Sequence, residues 1–256
     1  MIISASRRTD IPAYFGEKFY NDLINGNFVV INPFNNRKKI LMLKKNDIDG
    51  IVFWTKNPKP FFPIIEKIKK NVFRFYFQYT LNNYPKEIEP LNYSLVERFE
   101  HLKELYEIIY PEKIILRYDP IILTENFNIN FHSDNFELIL ENCHKYMDKI
   151  IISFVTVYRK VKKVLKNVID DREVQFSLLE KISKIGKKFS KRVEICCYNE
   201  DVTKFKIYPA KCISASYFGI KGKKHQGQRK LCNCDKSIDI GFYHTCKTGC
   251  IYCYAK

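Results

Sequence analysis

Glycine is scarce, with nine in 256 residues, and none falls in a glycine-rich phosphate loop. A nucleotide cradle built on such a loop is therefore not expected. No apolar run reaches the roughly 18 residues of a membrane-spanning helix, and Met1–Arg8 lacks the basic-then-apolar layout of an export signal. Internal repeats and low-complexity tracts are also missing. The cysteine count is odd, nine thiols with no export signal. That pattern argues against a disulfide frame and for reduced thiols and metal. The expectation is a cytoplasmic protein that does not enter a membrane. At 46% hydrophobic and 15% aromatic residues the chain is not disordered, and its length suits one large domain with a substantial core.

Acidic residues are the other shortage, 28 against 44 Lys and Arg, for a net charge of +16. Such an excess suits a nucleic-acid partner. A lysine-rich chain that is also rich in Ile, Asn, Tyr and Phe is equally what AT-rich coding sequence produces without any such partner. The charge is uneven, however. From Thr203 to Lys256 there are 11 basic and 2 acidic residues, and Lys221–Lys230 reads as a basic loop beside the last cysteines. A small-molecule or a nucleic-acid substrate both stay open, as does simple compensation of anionic clusters.

Through the first two hundred residues, strand-like and helix-like periods alternate. Strands are expected at Ile2–Ala5, Gly50–Trp54, Val72–Leu81, Ile114–Arg117, Lys149–Tyr158 and Val193–Cys197, with helices over Tyr14–Ile24, Phe61–Lys69 and Glu173–Phe189. Two further helices follow capping boxes at Ser94-x-x-Glu97 and Asp134-x-x-Glu137. Phe28–Asn32 and Lys39–Leu43, split by Pro33-Phe34-Asn35-Asn36, read as a hairpin insertion. Six strands alternating with helices give an α/β fold with a parallel sheet, either open or rolled toward a barrel. In both shapes ligands meet the carboxyl ends of the strands. Polar clusters fall at those ends: Arg7-Arg8-Thr9-Asp10, Thr55-Lys56-Asn57, Gln78-Tyr79-Thr80, Arg117-Tyr118-Asp119, Ser153 with Thr156, and Tyr198-Asn199-Glu200. Together they predict one polar mouth. Residues 1–200 would form this body, and 201–256 a basic, cysteine-rich cap over the strand ends, organised by metal.

The most informative stretch is Cys246-x3-Cys250-x2-Cys253. Three thiolates on one short loop suit three irons of a [4Fe–4S] cube and leave the fourth iron open to a ligand. A structural zinc site, completed by His244 or another side chain, is the alternative. Cys197 (or Cys196), Cys212, Cys232 and Cys234 make a second four-thiolate set for a second [4Fe–4S] cluster or for zinc. Adjacent strand residues face opposite sides, so one of Cys196 and Cys197 is left over. Cys143, His101 and His144 read as core residues.

Ser6-Arg7-Arg8-Thr9-Asp10-Ile11-Pro12-Ala13, Trp54-Thr55-Lys56-Asn57-Pro58, Gln228-Arg229, Cys232-x-Cys234, Ser237-x-Asp239-Ile240-Gly241 and the terminal cysteine loop resemble the domain-of-unknown-function family numbered 1848, essentially end to end. Gly249-Cys250-Ile251-Tyr252-Cys253-Tyr254-Ala255 is also similar to the cluster loop of the spore photoproduct lyase group of radical S-adenosylmethionine (SAM) enzymes. Those enzymes carry the loop after their first strand; here it comes last. The resemblance therefore implies a partial (β/α)6 TIM-type barrel with a permuted cluster loop on a cysteine-rich C-terminal cap.

It also implies roles. Cys246, Cys250 and Cys253 would hold a catalytic cluster that binds SAM and generates a 5′-deoxyadenosyl radical, with an external flavodoxin- or ferredoxin-like electron donor. Arg7, Asp10, Lys56, Arg117 and Asp119 are the candidate catalytic residues. Arg8, Thr55, Gln78, Tyr252 and Tyr254 are the candidate cofactor-binding ones. Cys197, Cys212, Cys232 and Cys234 would hold the auxiliary cluster. A zinc-stabilised nucleic-acid-binding protein and a two-cluster electron-transfer protein are the alternatives.

Overall fold

The computed structural model describes residues 1–32, 35, 37–110 and 113–256. Its frame is an eight-stranded sheet. The strands are β1 (Ile2–Ala5), β4 (Gly50–Thr55), β5 (Phe75–Thr80), β6 (Ile114–Ile121), β7 (Lys149–Phe154), β8 (Arg192–Ile195), β9 (Tyr208–Pro209) and β10 (Ile238–Asp239). The spatial order is β10-β1-β4-β5-β6-β7-β8-β9, and every pair is parallel. β2 (Asn27–Ile31) and β3 (Lys38–Met42) pair antiparallel as the expected hairpin, apart from the main sheet. Of its expected turn, Pro33, Phe34 and Asn36 lie outside the described residues.

Apart from β10, the strands follow one another across the sheet in chain order. No strand order reverses in mid-sheet, as it does in a doubly wound fold. The side chains divide accordingly, because successive residues of a strand face opposite sides. Ile3, Ile51, Phe53, Phe77, Leu116 and Ile152 face one way. There they pack with α2 (Gly16–Asn25), α3 (Phe62–Lys70), α4 (Leu95–Ile108), α5 (Ile129–Cys143) and α6 (Arg172–Lys188) in the main core. Rings of Phe19, Phe53, Phe61 and Phe77 sit at its centre, with Phe53 and Phe61 centroids 4.8 Å apart. Each fully buried ring contributes on the order of 2–3 kcal/mol. Ile2, Val52, Tyr76, Ile115 and Ile151 face the other way, where Ala210, Cys212, Ile213, Ala215 and Phe218 cover them. The helices thus lie on one side, and the C-terminal segment covers the other.

Three expectations change. The sheet has eight strands, because the segment beyond Asp201 adds β9 at one edge and β10 at the other. Strands of two residues carry no periodicity to read. A TIM barrel is not formed: β9 and β10 are open edges, each paired on one side only. Finally, α5 begins at Ile129, with Asn128 accepting from the backbone N–H groups of Asn130 and Phe131, so Asp134 lies inside the helix. The Ser94 capping box is present, Ser94 and Glu97 each accepting from the other's backbone N–H. Among the described residues no helix is long and apolar enough to cross a membrane.

Candidate active site

A cavity of about 270 Å³ opens at the carboxyl ends of β1, β4, β5, β6 and β7. All five candidate catalytic residues, Arg7, Asp10, Lys56, Arg117 and Asp119, line it. So do Arg8, Thr55, Tyr252 and Tyr254, and the thiols of Cys246, Cys250 and Cys253. The rim clusters after the first five body strands therefore meet. Tyr198-Asn199-Glu200, after β8, does not join them.

The terminal loop reaches this mouth because β10 pairs in parallel with β1, Ile3 opposite Ile238 and Ser4 opposite Asp239. The chain leaves β10 at the same end of the sheet at which β1 delivers Ser6–Asp10. Asp239 ties the two together, accepting from Ser4 Oγ at 3.0 Å, Ser6 Oγ at 2.5 Å and the Arg7 backbone N–H at 2.9 Å. Gly241 is required beside it, since a Cβ there would stand 2.0 Å from Ser6 Oγ.

The cysteine loop is then anchored by its own tyrosines. Tyr252 donates its hydroxyl to Glu89, and Tyr254 donates to the Arg7 carbonyl at 3.0 Å. The Ile251 backbone N–H donates to the Ile88 carbonyl, and Thr248 Oγ1 lies 3.1 Å from the Tyr14 hydroxyl and 3.5 Å from Cys246 Sγ. Gly249 turns the loop with φ +78°, a left-handed conformation that favours glycine. Burial raises the thiol pKa of Cys250 to about 11, and that of Cys253 upward as well.

The charged residues have distinct surroundings. Asp10 caps the short helix α1 (Ile11–Tyr14), accepting from the Ala13 N–H at 3.0 Å, and accepts from the Lys56 N–H at 2.8 Å. Burial nevertheless raises its carboxyl to about 6. Lys56 donates to Glu89 Oε1 at 2.8 Å. Burial pushes the Glu89 pKa up, but Lys56 and Arg98 outweigh it and hold the carboxyl below its ordinary value. Arg117 pairs with Asp119, which also accepts from Ser153 Oγ. Trp54 lies between these groups: the guanidinium carbons of Arg7 and Arg117 stand 5.4 and 5.0 Å from its ring, and its Nε1–H donates to Ser4 Oγ. Arg8 stacks on Tyr243 at 5.1 Å.

Two of the expected residues do not reach the cavity. Gln78 does not line the cavity. It is fully buried on the inner face of β5 and donates to the Cys212 carbonyl at 2.6 Å. Cys197 also stands off the cavity, and Cys196 lines it instead. The strand ends at Ile195, and Cys197 takes φ +53°, so the alternation stops and the two thiols lie 3.7 Å apart. Cys212, Cys232 and Cys234 line the cavity too.

Glu89 escaped the sequence reading. Between Pro85 and Pro90 it looks like a loop charge, yet it is 2% exposed and joins Lys56, Asn82 and Tyr252. Among the described residues no three His, Cys, Asp or Glu side chains form a group that could hold a single metal ion. A cubane differs from an ion in giving each thiolate its own iron. The chemistry of the terminal loop, three thiols of one short segment facing one cavity, fits that group.

A family model described as "Domain of unknown function (DUF1848)" matches residues 2–255. No curated protein and no solved structure matches the chain.

Proposed function

The chain belongs to the DUF1848 family, and we propose from its site that it is a radical SAM-type enzyme acting at the mouth of the parallel sheet. Cys246, Cys250 and Cys253 would hold a [4Fe–4S] cluster. When bound, such a cluster passes one electron to SAM, giving methionine and a 5′-deoxyadenosyl radical that takes a hydrogen atom from a substrate C–H bond. A flavodoxin- or ferredoxin-like donor would supply the electron.

One observation carries the reading. The three thiols of the Cys-x3-Cys-x2-Cys loop share a single cavity with Arg7, Asp10, Lys56, Arg117 and Asp119. The β10–β1 pairing supports it further, because the loop emerges beside the first strand although it is last in the chain. Strands in chain order with helices on one side are also what a (β/α)6 partial barrel would show if left unrolled.

In this reading the chain's own groups do three things. Glu89, Lys56 and Asn82 fix Tyr252 and hence the loop on which Cys250 and Cys253 stand. Arg7 and Arg8 offer guanidinium groups to carboxylate or phosphate oxygens of bound ligands. Trp54, Tyr252 and Tyr254 wall the cavity with aromatic surface and exclude water from a reactive species.

The test is anaerobic incubation of the reduced protein with SAM, followed by measurement of 5′-deoxyadenosine. Formation is expected for the parent and not for Cys250→Ala. Equal formation by that variant removes the assignment. An iron-loaded parent that makes none points to the electron-transfer alternative.

A further inference from the structure

We infer that Cys196, Cys212, Cys232 and Cys234, with Cys197 against them, form a second metal-thiolate site that takes an iron–sulfur cluster. Its ligands are other than those of the terminal loop, although both sets line one cavity, and it does not depend on SAM chemistry.

The first ground is geometry. Five thiols from three stretches of chain converge beneath the inner face of the sheet. Cys196 Sγ lies 3.6 Å from Cys212 Sγ and 3.7 Å from Cys197 Sγ, and Cys232 is near enough to Cys197 and Cys234 for their thiols to influence one another. The sheet holds them there. Tyr76 and Gln78, adjacent on the inner face of β5, both donate to the Cys212 carbonyl, at 2.8 and 2.6 Å. Tyr76 also accepts from the Ser214 N–H, and the Ile213 N–H donates to Cys234 Sγ at 3.4 Å.

The second ground is charge. Three arginines surround these thiols. Arg117 Nη1 lies 3.1 Å from Cys212 Sγ. Arg7 is within electrostatic reach of Cys212 and Cys234, and Arg229 of Cys196 and Cys197. Arg117 also pairs with Asp119, and Asp239 lies within electrostatic reach of Arg7. The Arg7 guanidinium has a buried Nη2 with no hydrogen-bond partner, and Asp239 accepts from its backbone N–H. Arginines so placed favour the anionic form of the thiols, and metal-bound thiolates carry that charge.

The choice of cluster over zinc follows from the surroundings. A structural zinc site is a closed tetrahedron. Here Cys196, Cys212, Cys232 and Cys234 line an open cavity instead.

The deciding variant leaves these thiols untouched: Cys246→Ala/Cys250→Ala/Cys253→Ala, purified anaerobically. About four irons and four sulfides per chain should remain, with broad visible absorption. Folded triple variant without iron, or with zinc in its place, overturns the inference. Cys212→Ser/Cys234→Ser in the otherwise natural chain provides the reciprocal measurement, and should lose about four irons while the loop keeps its own. Retention of all the iron by that variant also overturns it. Each variant reads one site, so failure of the terminal-loop assignment would show as unchanged iron in the triple variant.

Discussion

Tyr252 donates its hydroxyl to Glu89, a carboxylate 163 positions earlier in the chain that also accepts from Lys56 and Asn82. Through this contact the position of the cysteine loop depends on a buried charge network built from the loops after β4 and β5. Glu89 Oε2 has no partner of its own, so the network is finely balanced and sensitive to the loss of any donor.

Tyr252→Phe should therefore destabilise the chain by about 1.5–3 kcal/mol, the value of a hydrogen bond to a charged group. Lys56→Met should be worse, about 3–5 kcal/mol, because it removes the cation facing a buried carboxylate. Urea denaturation of the two variants checks the order. Equal, negligible losses would mean the network does not hold the loop.

Gly249→Ala tests the loop itself. At φ +78° a Cβ is strained by about 1–2 kcal/mol, and it would stand 3.2 Å from Pro90 Cγ. Iron content should fall well below the parent's, with only this modest loss in global stability. Iron at the parent level would show that the loop tolerates another backbone path.

The sequence made the mouth legible residue by residue because two regular periods were at work. Strand alternation put Arg7, Lys56, Arg117 and Asp119 near carboxyl ends, and parallel strands bring those ends together. It failed where a period runs out. Cys196 and Cys197 could not be told apart because the end of β8 is not fixed to within one residue by alternation, and Cys197 leaves extended geometry. Gln78 stands level with Trp54, which lines the cavity, but the segment at Cys212 covers it, a tertiary contact that alternation does not carry. β9 and β10 are too short to leave any pattern, yet β10 delivers the cysteine loop to β1. Glu89 gave no signal at all, since its burial comes from partners distant in sequence.

Asp10 predicts a pH effect of definite sign. Its folded pKa of about 6 lies above the ordinary 3.8, so the folded chain holds the proton more tightly. Its contribution is fully present below about pH 4 and is lost as pH rises through 6, by up to about 3 kcal/mol. Asp10→Asn keeps a side-chain oxygen for the α1 cap and removes the titration. Denaturation midpoints between pH 4 and 7 should decline less, or rise more, in the variant than in the parent. Parallel curves would show that Asp10 does not titrate there.

Trp54 is the chain's single tryptophan, and it lines the cavity between Arg7 and Arg117. Its fluorescence therefore reports on this one place without labelling. Iron–sulfur clusters absorb where indole emits, so loading the chain anaerobically with iron and sulfide should quench the emission strongly. The loop variant Cys246→Ala/Cys250→Ala/Cys253→Ala should keep part of that quenching, from the centre beside Arg117. Further loss of Cys212 and Cys234 should abolish it. Emission that stays unchanged while iron is taken up would place the metal away from Trp54, and neither centre could then lie at the mouth of the sheet.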